Sequence, residues 1–297
     1  MTIELVTQPF VKIVAASRML PSALDGFVEQ HGLSDLAHVA QDTPISRIVS
    51  EVEGRQQHNL DLLSEFAGRF CYRAWDKGRS TQDYLEHVIS EAHGSVLAHG
   101  SVSFIITGVS RALTHELVRH HVGTNPSQES QRYVTAEGGE IELVGFKANR
   151  AVVPPLILKV AEGGFKDAAG TNLLLKTFED DYESALGAYH RWLGVLKDSM
   201  SARFEENKTI IKKRAQEAAR CFLPNASETR LVWTMNMRAA RNVIEQRGAP
   251  GADLEIRRLA VAFTHELKRV APHTFFDAEV YTAGDGFEAV KVQHSKV

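Results

Sequence analysis

The sequence predicts a helix-rich α+β fold with a small central β-sheet. Three short runs, near residues 10–16, 101–107 and 131–136, have the pattern of strands. Around them, several longer segments repeat apolar residues at the spacing of amphipathic helices. A few strands surrounded by many helices are typical of an α+β arrangement. The length of 297 residues allows one large domain or two modest ones.

The first half of the chain carries clear helix boundaries. Apolar residues at helical spacing run over residues 58–75, and Gly78 closes that helix. Ser80 is the predicted N-cap of the next helix, which Gly94 ends. Ser110 is in turn the predicted N-cap of a short helix that leads into the segment from residue 119.

The second half of the chain is expected to be mostly helical. Apolar residues from Leu175 to Met200 trace one long amphipathic helix, and a charged helix covers residues 208–219. Ser227 is read as the cap of a helix that runs to about Gln246, with Gly248 at its C′ position. The last helix is expected near residues 253–270.

Composition and charge exclude several classes of function. The net charge of −3 gives no general basic field for gripping nucleic acid. The two cysteines, Cys71 and Cys221, are too few for a disulfide framework or a cysteine zinc site, and they suit a reducing compartment. The N-terminus lacks the pattern of a signal peptide, and no stretch approaches the ~20 apolar residues of a membrane-spanning helix. We therefore expect a cytoplasmic protein that binds neither nucleic acid nor a membrane.

The segment Arg119–Tyr133 is the most informative part of the chain. Gly123, Asn125 and Pro126 break the preceding helical pattern, so its polar side chains fall in a loop where a helix ends. Arg119 and Arg132 offer planar guanidinium groups that pair bidentately with phosphate. The neutral donors and acceptors beside them fit the edge of a nucleotide base: Ser127, Gln128, Ser130 and Gln131. The alternative is a solvated helix end, where basic residues interact favourably with the helix dipole.

The histidines and cysteines give weaker signals. His115, His120 and His121 do not have the i, i+4 spacing of a two-histidine metal site on one helix, so we predict no metal. His99, just before a predicted strand, is by itself more typical of a hydrogen-bonded structural histidine. Cys221 would be a nucleophile only with a base or a helix N-terminus to lower its pKa, and we expect a buried, inert thiol.

The helix predicted from Ser227 carries two polar stripes. Arg238 and Asn242 are four residues apart and share one face, while Asn236 and Arg247 share another. Such stripes suit a helix that touches two ligands, or a ligand and a second subunit; the alternative is an ordinary solvated face. The chain has neither a P-loop motif nor a glycine-rich dinucleotide motif after a strand.

Several motifs in order resemble the flavin-dependent thymidylate synthases. The family signature is R-H-R, followed after a short spacer by Ser and usually by Arg-Tyr. The matching segments cover roughly residues 58–134 and 205–277 and include Gly94–His99, Gly108–His120, Ser130–Tyr133, Ala219–Pro224, Trp233–Arg238, Asn242, Glu245–Arg247, Glu255–Arg257 and Pro272–Phe275.

The resemblance implies the fold of that family and its reaction. Its members convert deoxyuridylate (dUMP) to thymidylate (dTMP) by reductive methylation, with FAD as cofactor and with NADPH and 5,10-methylenetetrahydrofolate as co-substrates. They are homotetramers whose sites are shared between subunits. By this resemblance residues 1–297 form a single domain, with an extended helical segment at about 137–200 that is longer than expected for the family.

The resemblance also assigns site residues. Those expected to contact FAD are Ser101, Arg119, His120, His121, Gln128, Asn236, Arg238 and Asn242. Those expected to line the dUMP site are Glu116, Arg119, Gln128, Glu129, Ser130, Gln131, Arg132, Arg220 and Arg247. His99 matches a family histidine near the flavin and substrate.

Arg247 is the residue expected to act in catalysis. A guanidinium is effectively always protonated, so its implied role is to hold negative charge on N3 and O4 of the uracil ring. This chemistry needs no enzyme cysteine. Ser130, by the resemblance, positions the nucleotide and is not a nucleophile.

The sequence departs from the family pattern at three positions. His121 stands where the motif has its second arginine, Glu116 replaces a usual glutamine, and Ala98 replaces a common acidic residue. A neutral histidine does not supply the fixed charge of arginine, so we expect weaker FAD affinity or compensation by another basic residue. The alternative function is an FAD- and pyrimidine-nucleotide-binding relative without thymidylate synthase activity.

Overall fold

The protein is described by a computed structural model, which covers residues 3–39, 43–53, 60–76, 78–133, 149–203 and 207–295. The chain divides into two compact units. Unit 1 comprises Met1–Phe10, Ile106–Arg119 and Ser127–Val232, and unit 2 comprises Val11–Ile105, His120–Pro126 and Trp233–Val297. The single domain expected for residues 1–297 stays a prediction.

Unit 1 is built around a long helical hairpin. Its helices α7 (Leu173–Arg203) and α8 (Lys208–Ala219) pack against each other. The residues Arg150 to Val152 pair in parallel with Glu4 to Val6. The elements that lie wholly in unit 1 are β1 (Glu4–Val6), α5 (Arg111–Leu117), β5 (Arg150–Val152), α6 (Pro155–Ala161), α7 (Leu173–Arg203) and α8 (Lys208–Ala219).

The core of unit 1 confirms the amphipathic pattern predicted for α7. Tyr182, Leu186, Tyr189 and Leu193 are buried at helical spacing against the alanines of α8. Side chains of this size each stabilise the folded state by about 1.5–3 kcal/mol when fully buried. The Tyr182 hydroxyl ties the helix to β5 by donating to the carbonyl oxygen of Arg150 at 3.3 Å.

Unit 2 contains helices at both ends of its sequence and a C-terminal hairpin. Its strands β7 (Ala278–Thr282) and β8 (Glu288–Val292) pair antiparallel. The elements that lie in unit 2 are β2 (Phe10–Ala16, from Val11 on), α1 (Pro21–Gln30), α2 (Pro44–Glu53), α3 (Leu60–Tyr72), α4 (Thr81–Ser90), a 3-10 turn (Gly94–Ala98), α9 (Met237–Gly248), α10 (Leu254–Val270), β7 (Ala278–Thr282) and β8 (Glu288–Val292).

Two apolar clusters hold unit 2 together. One is formed by α1, α2 and α3, with Trp75 and Phe66 in contact at a ring-centroid distance of 5.2 Å. The other packs α10 on strand residues: the Phe263 ring lies 4.7 Å from that of Phe104 and 5.7 Å from that of Trp233. The second cluster fixes α10 against the sheet.

The largest sheet has four strands, in the order β2, β3 (Ser101–Ser110), β6 (Glu228–Asn236) and β4 (Thr124–Gln128). The chain passes between the units within each of β3, β4 and β6. These elements confirm the predicted helix-rich α+β class with a small sheet.

The strand predicted near residues 131–136 is wrong in its described part. Residues 131–133 form a turn instead of a strand, and residues 134–136 lie outside the described residues. The strand of this region is β4. It was not predicted because Asn125 and Pro126 are typical of a turn. Proline is tolerated there because β4 is an edge strand in the sheet order.

The helix predicted from Ser227 is also wrong in its first half. Residues 228–236 form β6, in which Leu231, Trp233 and Met235 are buried in the alternating pattern of a strand. The true N-cap of α9 is Asn236, whose Oδ1 accepts from the backbone N–H of Ala239 at 2.8 Å. Asn236 and Arg247 therefore do not share a helical stripe.

Other predicted helix ends are confirmed. The Ser80 hydroxyl accepts from the backbone N–H of Asp83, and the Ser110 hydroxyl accepts from that of Leu113. Gly248, expected at the C′ position, is instead the last residue of α9. A side chain is excluded there because a Cβ would lie 2.5 Å from the Cβ of Val290 in β8.

The described residues contain neither a membrane-spanning helix nor a metal-binding cluster. None of the described helices combines the length and the apolar composition that crossing a bilayer requires. No group of three His, Cys, Asp or Glu side chains within the described ranges is arranged to hold a metal ion. The cytoplasmic location stays a prediction.

Candidate functional site

Unit 1 brings together two cations that the sequence places far apart. Arg111 is the first residue of α5, and Arg220 follows α8 in a 3-10 turn. Burial lowers the pKa of Arg111, and the positive charge of Arg220 lowers it further. Two guanidinium groups close enough to repel each other, one of them partly desolvated, favour an anion such as phosphate between or beside them.

Arg111 was missed by the sequence analysis. The one available signal was its place in the first turn of a helix, where a cation is disfavoured by the helix dipole. A residue that opposes this local preference suggests a requirement other than helix stability. Its guanidinium also reaches the carbonyl oxygen of Glu129 at 3.5 Å, within the predicted binding loop.

The loop after β4 is held by ion pairs in unit 1. The backbone N–H of Glu129 donates to the carbonyl oxygen of Arg230 at 3.0 Å. The Arg230 guanidinium pairs with the carboxylate of Glu129 at 3.1 Å and with that of Glu228 at 2.7 Å. Glu228 in turn pairs with Arg150 and accepts from the backbone N–H of Gly108 at 2.8 Å. The carboxylate of Glu129 is thus already paired with β6.

Arg132 is anchored to α8. It forms an ion pair with Glu217, and its Nε is buried without a hydrogen-bond partner among the described residues. Its guanidinium carbon lies 5.7 Å from the centre of the Tyr133 ring, and the Lys213 ammonium lies 5.2 Å from the same ring. A hydrogen bond with Lys213 lowers the pKa of the exposed Tyr133 hydroxyl. Arg132 is therefore oriented before any ligand binds.

The remaining predicted residues of unit 1 line the same stretch. Gln128 is half-buried, and its Nε2 lies 3.0 Å from the hydroxyl of Thr114. The Ser130 hydroxyl accepts from the backbone N–H of Arg132 at 3.3 Å. Glu116, Gln131 and Arg119 are partly or fully exposed.

Unit 2 brings together His120 and Arg247, which are 127 residues apart in the chain. The Arg247 Nε–H donates to Nε2 of His120 at 2.7 Å. Burial lowers the pKa of His120, and the neighbouring charges of Arg247 and His121 lower it further. His120 is therefore neutral, and since Nε2 accepts, its proton lies on Nδ1. His121 itself is exposed.

A tight turn carries His120 to the start of α9. Gly123 has a φ of +70° and its carbonyl oxygen accepts from the backbone N–H of Asn236 at 2.9 Å. A Cβ on Gly123 would lie 2.6 Å from Nδ2 of Asn236, so only glycine fits. Thr124 closes the turn by donating its hydroxyl proton to the carbonyl oxygen of His120.

Arg238 lines a cavity of about 340 Å³ within unit 2. The opposite walls come from α3, α4 and the 3-10 turn, with Cys71, Tyr72, Tyr84 and His93 among the lining side chains. None of these four residues was predicted, since neither the spacing nor the residue types form a known motif. The cavity has the size of a small-molecule site.

The other predicted residues of unit 2 are near the ends of these elements. Asn242 is exposed one turn after Arg238 and accepts from Nε2 of Gln246 at 2.7 Å. The Ser101 hydroxyl lies 3.0 Å from the hydroxyl of Ser17. His99 is exposed at the end of the 3-10 turn.

The expectation of a buried Cys221 thiol is wrong. Both cysteines are free and exposed. Cys221 lies in the 3-10 turn after α8, where its neighbour Phe222 stacks on the exposed Trp192 at 5.6 Å. None of the three residues of this turn is buried, so the Cys221 thiol does not reach the core.

The fold and these two groups of cationic, amide and hydroxyl side chains are typical of an α+β enzyme that acts on nucleotides. Comparison with known proteins gives the family. Residues 55–273 match the family described as Thymidylate synthase complementing protein (Thy1). Flavin-dependent thymidylate synthases of Mycobacterium bovis (strain BCG / Pasteur 1173P2) and Mycobacterium tuberculosis (strain ATCC 25177 / H37Ra) are each 43% identical over 232 residues, or 76% of this chain and 82% of the relative. The chain belongs to the flavin-dependent thymidylate synthase family, which confirms the resemblance seen in the sequence.

A solved structure supports the same fold. The crystal structure of a UMP/dUMP methylase PolB from Streptomyces cacaoi bound with 5-Br UMP is similar with a TM-score of 0.57. The two chains are 19% identical, and the match covers 93% of this chain and 96% of the other. This likeness confirms the predicted fold.

Proposed function

We propose that the chain binds dUMP and FAD and converts dUMP to dTMP by reductive methylation, with 5,10-methylenetetrahydrofolate and NADPH as co-substrates. As a family member it is an FAD-dependent thymidylate synthase and thus a methyltransferase. The observation that carries the nucleotide assignment is the position of Arg111, whose guanidinium reaches the carbonyl oxygen of Glu129 in the loop at 3.5 Å and is both partly desolvated and repelled by the charge of Arg220. A phosphate monoester, with a charge of about −1.5 to −2 at pH 7, would relieve that repulsion.

The dUMP site that we propose extends from these two cations along the loop. Arg132 is a further residue that can donate hydrogen bonds to the phosphate, and its guanidinium is already oriented by Glu217. Charge-assisted hydrogen bonds of this kind are the strong ones in a polar site. The neutral and remaining charged side chains assigned to the nucleotide are Glu116, Arg119, Gln128, Glu129, Ser130 and Gln131.

The residues present fit FAD. The cavity beside Arg238 offers one cation among polar and aromatic walls, which suits a pyrophosphate next to a ring system. The residues that we assign to FAD are Ser101, Arg119, His120, His121, Gln128, Asn236, Arg238 and Asn242, with His99 near the site. When bound, FAD supplies the redox chemistry that the reductive methylation requires.

Arg247 is the residue to which we assign the catalytic electrostatics. Its Nε is occupied by neutral His120, so the pair carries a single positive charge on the guanidinium. The His120 contact limits the rotation of that group, and the role that the family resemblance gives it is to hold negative charge on the uracil ring. One such preorganised donor lowers a barrier by about 3–4 kcal/mol.

The homotetramer implied by the family is also part of the proposal. Light scattering should give the mass of four chains at working concentration. A stable monomer with full activity would contradict shared sites.

The central experiment combines flavin content, nucleotide binding and turnover. Purified protein should show the FAD absorbance spectrum, or acquire it on reconstitution, and should bind dUMP in a calorimetric titration. It should then form dTMP only when dUMP, methylenetetrahydrofolate and NADPH are all present. Failure to bind FAD would refute the proposal outright. A yellow protein that binds dUMP without forming dTMP would establish the second candidate, a non-methylating relative, which the replacement of the motif arginine by His121 favours.

A further inference from the structure

The side-chain amide of Gln128, at the end of β4, is hydrogen-bonded to two threonines from different elements. Its Nε2 lies 3.0 Å from the hydroxyl of Thr114 in α5 and 3.1 Å from that of Thr229 in β6. Both threonines are 3% exposed, whereas Gln128 is half-buried. Two buried hydroxyl groups therefore meet the same end of one partly accessible amide.

The hydrogen bonds decide which end of the amide that is. The Thr114 hydroxyl donates its one proton to the carbonyl oxygen of Arg111 at 3.0 Å. It therefore accepts from Gln128, and only the amide nitrogen has protons to give. The nitrogen can make two such bonds, one to each threonine, so both of its N–H groups are used.

Within the part of the chain that the structure describes, this arrangement leaves the amide oxygen as the one side-chain hydrogen-bonding group of Gln128 that is not used. We propose that Thr114 and Thr229 are positioning residues that hold Gln128 as a pure hydrogen-bond acceptor toward the bound nucleotide. The inference rests on the proposed dUMP site and adds a rule of specificity to it. The group that meets Gln128 is a donor, which excludes the phosphate oxygens and leaves the 3′-hydroxyl or the imide N3–H of dUMP.

Binding a ligand that presents an acceptor to Gln128 would cost free energy. An acceptor on the ligand facing Oε1 would leave two acceptors in contact, and the amide could not rotate without losing both threonine bonds. A buried hydroxyl left without its partner costs about 1–3 kcal/mol. Gln128 therefore discriminates between ligand donors and ligand acceptors through the orientation of its amide, which the two threonines fix.

The test uses dUMP affinity of the FAD-loaded protein, measured by calorimetry, and the separation of KM from kcat. Thr114→Val and Thr229→Val keep the side-chain shape and remove the hydroxyl. Each should raise the Kd and KM for dUMP about five- to tenfold with kcat changed by less than about twofold. Thr114→Ser should restore the affinity of the wild type, since it keeps the hydroxyl.

A matched control is Thr264→Val. Thr264 is also fully buried in a helix and donates its hydroxyl proton to a carbonyl oxygen one turn earlier, that of Ala260 at 2.8 Å. This variant loses the same hydroxyl without touching Gln128, so its dUMP affinity should equal that of the wild type. Thermal unfolding of all variants shows that they are folded.

Two analogues complete the design, 2′,3′-dideoxyuridylate and N3-methyl-deoxyuridylate. The wild type should lose affinity for the analogue that lacks the donor facing Gln128, and the valine variants should lose most of that discrimination. Folded valine variants that bind dUMP as tightly as the wild type would overturn the inference, as would a wild type that binds both analogues as well as dUMP. A wild type that does not bind dUMP at all would instead refute the proposed function.

Discussion

The pair Arg241–Asp277 fixes α9, the helix that carries two of the predicted flavin contacts, Arg238 and Asn242, and Asp277→Asn tests that anchor. Arg241 lies on α9 between Arg238 and Asn242, and its side chain is 2% exposed. Its guanidinium donates to both carboxylate oxygens of Asp277, at 2.7 and 2.9 Å. It also donates to the carbonyl oxygen of Thr274 at 2.6 Å. The anchor thus ties α9 to the segment before β7.

The expected loss of stability follows from burial. Asparagine keeps the shape of Asp277 but removes the charge, and its amide nitrogen would face a donor of Arg241 or the backbone N–H of His294, which lies 2.9 Å from Oδ2. The side chain of Asp277 is 0% exposed, so water does not replace the lost acceptor. Breaking a buried pair of this kind costs about 3–5 kcal/mol. For a chain of this size, that corresponds to a fall in Tm of roughly 6–20 °C.

The difference in Tm between the wild type and Asp277→Asn should depend on pH in a defined direction. Burial acts to raise the pKa of Asp277, but the hydrogen bond and charge of Arg241 outweigh burial and lower it below the usual value. A lowered carboxyl pKa contributes stability that is present above the unfolded pKa of about 3.9 and is lost as pH falls through the folded value. The difference in Tm between wild type and variant should therefore be full at pH 7 and shrink below about pH 4.

The measurement is thermal unfolding at several pH values, together with FAD content after purification. Asp277→Asn should also retain less FAD, because α9 carries Arg238 and Asn242, which we propose to contact the flavin. Asp285→Asn is the control: Asp285 pairs with the buried Arg257 but is 42% exposed, so solvent screens the pair and the loss should be much smaller. A Tm within about 2 °C of the wild type for Asp277→Asn at pH 7 would refute the anchoring role.

Three further substitutions separate the roles within the proposed sites. Arg247→Ala should lower kcat by about 10²–10³-fold while the purified protein keeps its FAD spectrum, and unchanged turnover would remove the assigned role. Arg111→Gln should raise the KM for dUMP by at least about tenfold and make the KM less dependent on salt; an unchanged KM would place the phosphate elsewhere. His121→Arg should tighten FAD binding in a fluorescence titration, whereas equal affinity would mean that another cation already supplies the charge.

Local chemistry explains which elements the sequence predicted. Ser80 and Ser110 were recognised as helix caps because a cap depends on a hydrogen bond three residues away. The α7 helix was recognised because its buried face repeats over many turns. Ser227 misled the prediction because it has the residue type of a cap but precedes a strand. The alternation of Leu231, Trp233 and Met235 was the stronger signal.

The candidate site depended on contacts that no local pattern contains. Several motifs in the right order, among them the segment 119–133, indicated the family, and the comparisons confirmed it. The pairing of Arg132 with Glu217 and of His120 with Arg247 joins residues far apart in the sequence. The same holds for Arg111 beside Arg220. Only the fold brings such side chains together, so sequence spacing alone did not reveal them.

The replacement of the motif arginine by His121 removes one fixed positive charge and also changes the pKa of the neighbouring His120. His121 already contributes to the lowered pKa of His120. An arginine at that position would carry its charge at every pH and would hold the pKa of His120 lower still. In this chain His120 is therefore closer to protonation than it would be beside an arginine. A protonated His120 could not accept from Nε of Arg247. The substitution thus links the orientation of the proposed catalytic guanidinium to the protonation state of His120.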